Sequence, residues 1–83
     1  MSNNINFPQY RKYPNNKVFF KIISENEWEE VHHTAGKYTL HSFTANILPD
    51  RNYIKDMLYH YQPHWQPITE TEYVSQKQKC VPK

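Results

Sequence analysis

Histidine offers the widest range of chemistry in this sequence, because the imidazole ring serves both as a metal ligand and as a general base. The chain has five histidines. Two of them, His32 and His33, follow Glu29 and Glu30 at the Glu-x-x-His spacing that on a helix supplies half of a carboxylate-bridged di-metal site. No second Glu-x-x-His pair follows later in the chain. We therefore expect these charges to pair locally and to bind no metal.

The remaining signatures of catalysis are incomplete. His60 and His64 have the spacing of two zinc ligands on one helical face, but Pro63 interrupts the helix between them. Cys80 lies in a basic tail where no neighbouring base is predicted to activate its thiol. Gly36 is the only glycine, which excludes glycine-rich phosphate-binding loops. We expect a protein that is not an enzyme and has no cofactor. A metal-dependent hydrolase that uses the histidines is an alternative.

Aromatic residues are the more informative feature, with seven Tyr, four Phe and two Trp in a short chain. Several lie beside basic or polar residues, as in the run Tyr10, Arg11, Lys12 and Tyr13 and at Trp65. Rings beside cations suit single-stranded nucleic acid, because bases stack on the rings and the cations neutralise phosphate. Tyr, Trp and Arg are also the usual anchors of protein interfaces. The sequence leaves three roles open for these residues: contact with nucleic acid, contact with a protein, and packing on the domain itself.

Acidic residues form a block between positions 25 and 30. On a helix they would present a negative face that could meet a basic groove and mimic phosphate, or that could simply be solvated. The candidate partner-binding residues are therefore Tyr10, Arg11, Lys12, Tyr13, Glu25, Glu29, Glu30 and Trp65.

The length of 83 residues, with 37% hydrophobic residues and a formal charge of +2, indicates one small globular domain. No apolar run approaches the length of a membrane helix, and the first residues do not have the pattern of a secretory signal. We expect a cytoplasmic protein that does not contact membranes.

The pattern of the first half predicts two strands separated by a helix. Residues 17–23 are rich in β-branched and aromatic side chains, which is typical of a strand. Ser24 and Glu27 have the spacing of a helix capping box, so a helix is predicted from Ser24 to about residue 33. Residues 37–48 alternate between a more apolar and a more polar face and predict a second strand.

The second half predicts two helices. In the first, Ile54, Met57, Leu58 and Tyr61 share one face, and the second runs from Thr69 to about residue 77. The expected fold is a small single α+β domain in the order strand-helix-strand-helix-helix, with a two- or three-stranded sheet, parallel or antiparallel. A two-stranded sheet is marginal, so we expect either a third strand from residues 7–14 or a symmetric homodimer through an exposed edge.

The chain is predicted to consist of a flexible N-terminal arm (1–16), a single α+β domain (17–78) and a frayed basic tail (79–83). The expected function is that of a small non-enzymatic binding protein that engages a protein or ribonucleoprotein partner. An inhibitor of a nucleic-acid-handling complex, encoded by a phage or mobile element, is one such hypothesis, which rests on size, missing catalytic signatures and aromatic content. Direct binding of RNA or single-stranded DNA by the aromatic and basic surface is the alternative.

Overall fold

The computed structural model describes residues 6–80, which form one five-stranded antiparallel sheet with a helix on each face. Neighbouring strands lie across the sheet in the order β4-β3-β2-β1-β5. Along the chain the elements are β1 (Gln9–Lys12), β2 (Val18–Ser24), β3 (Glu27–Thr34), β4 (Lys37–Thr44), α1 (Leu48–Tyr59), β5 (Gln66–Pro67) and α2 (Glu70–Lys77).

Strand β2 forms the centre of the domain and packs on both sides. Phe20 and Ile22 are fully buried in a cluster with Ile54 and Met57 of α1. The neighbouring Phe19 faces the other way, because successive side chains of a strand point to opposite faces, and it packs with α2. The strand predicted over residues 17–23 is confirmed, and burial on both faces explains why its apolar run does not alternate.

The predicted helix after Ser24 is wrong, because residues 27–34 form β3. Ser24 closes the tight turn between β2 and β3: its hydroxyl oxygen accepts a hydrogen bond from the Asn26 backbone N–H at 3.3 Å and lies 2.8 Å from Asn26 Oδ1. Trp28 is buried on the α1 face and Val31 on the α2 face. This alternation has a period of two, which fits a strand between β2 and β4.

The predicted element order and strand number are therefore also wrong. The domain is α+β, but four strands precede α1, and β5 separates the two helices. All strand pairs within residues 6–80 are antiparallel, so the parallel alternative for the sheet is wrong. Residues 9–12 of the segment predicted as an arm form β1, between β2 and β5.

The two later helices are confirmed with small shifts. Helix α1 buries Ile54, Met57 and Leu58 and ends at Tyr59, two residues before Tyr61. Thr69 caps α2, because its side-chain oxygen accepts a hydrogen bond from the Glu72 backbone N–H at 3.1 Å. Neither helix of the described part is long and apolar enough to cross a membrane. Residues 1–5 of the predicted arm and 81–83 of the predicted tail lie outside the described residues.

Candidate interaction surface

Strand β4 is presented at the edge of the sheet by a two-residue hairpin. Ala35 and Gly36 have φ values of 53° and 78°, the left-handed conformation that type I′ turns require at both central positions. From this turn β3 and β4 pair in a continuous register, which runs from Thr34 opposite Lys37 to Glu27 opposite Thr44. The hairpin therefore keeps β4 paired with β3 along its full eight residues.

Both faces of β4 are open to solvent. Every residue of the strand is exposed except Tyr38, which is half-buried. Leu40 on the α2 face and Phe43 on the α1 face keep 41% and 39% of their surface exposed. Within residues 6–80 no strand pairs with the outer edge of β4.

The register shows which backbone groups lie unpaired at this edge. The His33 N–H donates to the Lys17 carbonyl at 2.8 Å, towards β2. Backbone groups alternate in direction along an antiparallel strand, so His33 and its opposite residue Tyr38 form a pair without mutual hydrogen bonds. The N–H and C=O groups of Tyr38 therefore point away from β3. By the same alternation, the outward-facing residues of β4 are Tyr38, Leu40, Ser42 and Thr44.

A polar and aromatic network supports the hairpin on the α1 face. The Phe43 ring stacks on Trp28 with centroids 5.0 Å apart. The Trp28 indole N–H donates to Glu30 Oε2 at 2.8 Å, and the other oxygen of this buried carboxylate lies 2.7 Å from His32 Nε2. The His32 and His41 ring centroids lie 4.6 Å apart. These contacts hold the side chains of Phe43 and His41 on β4 against those of Trp28 and His32 on β3.

The α2 face is anchored by the second buried carboxylate, Glu29. The Tyr73 hydroxyl donates to Glu29 Oε2 at 2.8 Å, and Lys77 Nζ lies 3.0 Å from the same oxygen. Burial, followed by this hydrogen bond, raises the pKa of Tyr73 well above its usual range, so the phenol stays a donor even at alkaline pH. Glu29 thereby connects β3 to α2.

Arg11, predicted to contact a partner, lies inside the domain with 6% of its surface exposed. Its Nε donates to the Met57 carbonyl at 2.9 Å and Nη1 to the Tyr10 carbonyl at 2.8 Å, while the guanidinium lies 4.7 Å from the Tyr61 ring centroid. Burial lowers the pKa of Arg11. Met57 lies in the last turn of α1, which has no basic residue of its own, so Arg11 caps the helix from β1.

The aromatic candidates also pack inward. Tyr13 stacks on Trp65 with centroids 6.1 Å apart and meets Phe20 edge-on at 5.0 Å. Trp65 is buried, and its indole N–H has no hydrogen-bond partner among the described residues. On the opposite face, the Tyr10 ring lies 5.4 Å from that of Tyr73. These rings form two separate groups, one on each face of the sheet, in which Trp65 and Tyr73 are buried and Tyr10 and Tyr13 are half-buried.

The charged candidates are likewise separated. Glu29 and Glu30 are both buried, on opposite faces of β3, and each is hydrogen-bonded within the domain. Glu25 is exposed in the turn between β2 and β3. Lys12 is half-buried and contacts the Asn16 side chain. The structure therefore brings neither the predicted acidic face nor the predicted aromatic and basic surface together as one patch.

A separate open groove of about 720 Å³ lies between α1 and the β2–β3 turn. Arg51 and Lys55 of α1 line one part of it and Glu25 another, with Phe7 and Leu58 among the apolar contributors. Its volume is in the usual range for small-molecule sites, but it gathers no catalytic set of side chains. In the part of the chain that the structure describes, no group of three or more His, Cys, Asp or Glu could hold a metal ion.

The sequence did not reveal the outer edge of β4 as a candidate surface. The sequence predicts a strand over residues 37–48 with a more apolar and a more polar face, whereas β4 ends at Thr44 and both of its faces are exposed. One feature of the sequence indicates an exposed strand here. Residues 38–44 include none of Asp, Glu, Lys or Arg, and only Leu40 and Phe43 among them are strongly apolar.

Comparison with known proteins adds no relatives, since no protein-family model, no curated protein and no solved structure matches the chain.

Proposed function

We propose that this chain is a non-enzymatic binding protein that engages a protein partner, either alone or as a component of a ribonucleoprotein. The partner adds an extended segment to the outer edge of β4. The observation that carries this proposal is an eight-residue edge strand with exposed faces and unpaired outward-facing backbone groups. Strand addition uses those groups for affinity and the exposed Leu40 and Phe43 for specificity.

The contrast between the two sheet edges supports this choice. Natural sheets protect their edges with short strands, prolines, charges or bulges. The opposite edge, β5, has two residues, one of them Pro67. Between Tyr38 and Thr44, β4 has no charged residue and no proline, and its register with β3 is regular. Protection of one edge alone favours a binding role for the other.

The same contacts favour a protein partner over RNA or single-stranded DNA. Base stacking and phosphate binding need accessible rings and cations. Arg11 and Trp65 are buried, and Tyr13 packs against Phe20 and Trp65. These groups therefore contribute to the stability of the domain, and binding of nucleic acid is measured beside binding of protein.

Two edge variants test the proposal. Ser42→Pro removes an outward-facing N–H without removing a hydrogen bond to β3, and Leu40→Lys places a charge on the edge. Val74→Lys is the control, because Val74 is 37% exposed on α2, similar to Leu40. Each 83-residue chain is immobilised and used to capture proteins from an extract of the cells that express it, with and without ribonuclease.

We expect specific proteins that bind the wild type and Val74→Lys and are lost from both edge variants, whether or not RNA is digested. Equal capture by all four chains would contradict binding at β4. Capture that disappears with ribonuclease, together with salt-sensitive binding of labelled RNA, would favour the nucleic-acid alternative instead.

A further inference from the structure

We propose that the segment added to the outer edge of β4 is β4 of a second copy of this chain, antiparallel about a two-fold axis that passes beside His41. This inference rests on the proposed function of the edge and names its partner. The resulting dimer joins the two sheets into one continuous sheet.

The register follows from the backbone. A two-fold axis perpendicular to the sheet brings side chains of the same face opposite one another. Centred on His41, it pairs Leu40 with Ser42 of the second copy and Tyr38 with Thr44, so that all four outward-facing residues of each copy form hydrogen-bonded pairs. A shift of the axis by one residue in either direction leaves one outward-facing residue of each β4 without such a pair. Backbone pairing alone therefore selects the register centred on His41.

The side chains are compatible with this register. On the α1 face Phe43 lies opposite Thr39 of the second copy, an aromatic and β-branched pair of the kind that stabilises antiparallel strands. On the α2 face Leu40 lies opposite Ser42. Residues 38–44 contain none of Asp, Glu, Lys or Arg, so no carboxylate, ammonium or guanidinium group faces its like across the axis.

Two-fold pairing also explains why only one edge is protected. An isologous contact uses the same surface of both copies and closes on itself. In the dimer both β4 edges are paired, and the outer strands of the joined sheet are the two copies of β5. Each consists of two residues and contains Pro67. The assembly therefore stops at two chains.

Charge variants at the two-fold axis provide the sharpest test. The wild type is expected to have twice the 10.1 kDa chain mass by light scattering, with dissociation on dilution. His41→Lys or His41→Glu alone places two like charges opposite each other and should weaken the dimer by about tenfold or more, equivalent to about 1.4 kcal/mol. An equimolar mixture of these two variants should restore it as a heterodimer.

Thr39→Lys and Thr39→Glu form the matched control, because Thr39 lies opposite Phe43 in this register and not opposite itself. An equimolar mixture of the two Thr39 variants should not restore the dimer to a comparable degree. A cysteine pair supplies a second measurement: in a Cys80→Ser background, His41→Cys should form an intermolecular disulfide readily and Thr39→Cys poorly. Residue 41 occupies the close, non-hydrogen-bonded pair at the axis, which has a separation suitable for a disulfide.

A monomer at all concentrations would overturn the inference. So would a dimer that persists with Ser42→Pro, or a mixture of the His41 variants that recovers no better than the Thr39 pair. A monomer that still captures other proteins through β4 would leave the proposed function intact and assign the edge to a different protein. A dimer with the predicted register and edge-dependent capture of this chain alone, with no other protein, would support self-association and remove the separate partner.

Discussion

Replacing Phe20 with Ala should lower the free energy of unfolding by about 3–5 kcal/mol, the usual loss for a large buried aromatic side chain. Phe20 has no exposed surface and lies where β2 meets α1. Its ring makes edge-on contacts with Tyr13, Tyr53 and Trp65. Truncation removes these contacts and leaves a cavity among rigid rings, so chemical denaturation should show a much lower midpoint.

Ile23→Ala is the control for this substitution, because Ile23 belongs to the same strand but is 39% exposed. Its loss should stay below about 1 kcal/mol, within the range of strand propensity differences. Equal destabilisation by the two substitutions would contradict the described core.

Replacing Arg11 with Ala should lower the free energy of unfolding by about 3 kcal/mol, although Arg11 carries a charge and lies on a short strand. The substitution leaves the Met57 carbonyl without its side-chain donor, and an orphaned buried acceptor costs about 1–3 kcal/mol. The Tyr10 carbonyl also loses Arg11 but keeps the Ile68 N–H as a donor at 3.2 Å. It also removes packing on Tyr61. Denaturation gives the magnitude, and faster amide exchange in the last turn of α1 would locate the effect.

Two further variants separate this capping role from a general effect of charge. Lys12→Ala removes the neighbouring cation, which is half-buried, and should change stability by less than about 0.5 kcal/mol. Arg11→Lys should give an intermediate loss, because a single ammonium cannot reproduce the geometry of the guanidinium. An Arg11→Ala protein as stable as Lys12→Ala would show that Arg11 does not cap α1.

Residues 23–28 and 68–73 show why the sequence predicted only part of the fold. Both segments place a hydroxyl residue three positions before a glutamate and after an isoleucine. Thr69 caps α2 as this pattern predicts, whereas Ser24 closes a turn between strands. The difference comes from tertiary structure, because residues 27–34 are enclosed between β2 and β4 and pairing with both outweighs a local capping preference.

The buried glutamates show why the candidate site was only partly predictable. Glu29 and Glu30 belong to a charged run that is typical of a solvated surface, and nothing local indicates burial. Their burial depends on hydrogen-bond donors that the fold places beside them. Tyr73 on α2 donates to Glu29, and Trp28 on the same face of β3 donates to Glu30. Arg11 likewise depends on a carbonyl 46 residues away. The Glu30 pairing follows only once residues 27–34 are known to form a strand, and the Glu29 and Arg11 pairings only once the packing of the two helices on the sheet is known.

Amide hydrogen exchange along β4, measured at residue resolution, shows directly whether another strand pairs with its outer edge. The dilute free protein is compared with the assembled form isolated from the cells that express it. In the free protein the outward-facing amides of Tyr38, Leu40, Ser42 and Thr44 should exchange rapidly, since they lack a partner in β3. In the assembled form they should become protected, as expected for strand addition to the outer edge of β4. Rapid exchange at these amides in the assembled form would contradict binding through this edge.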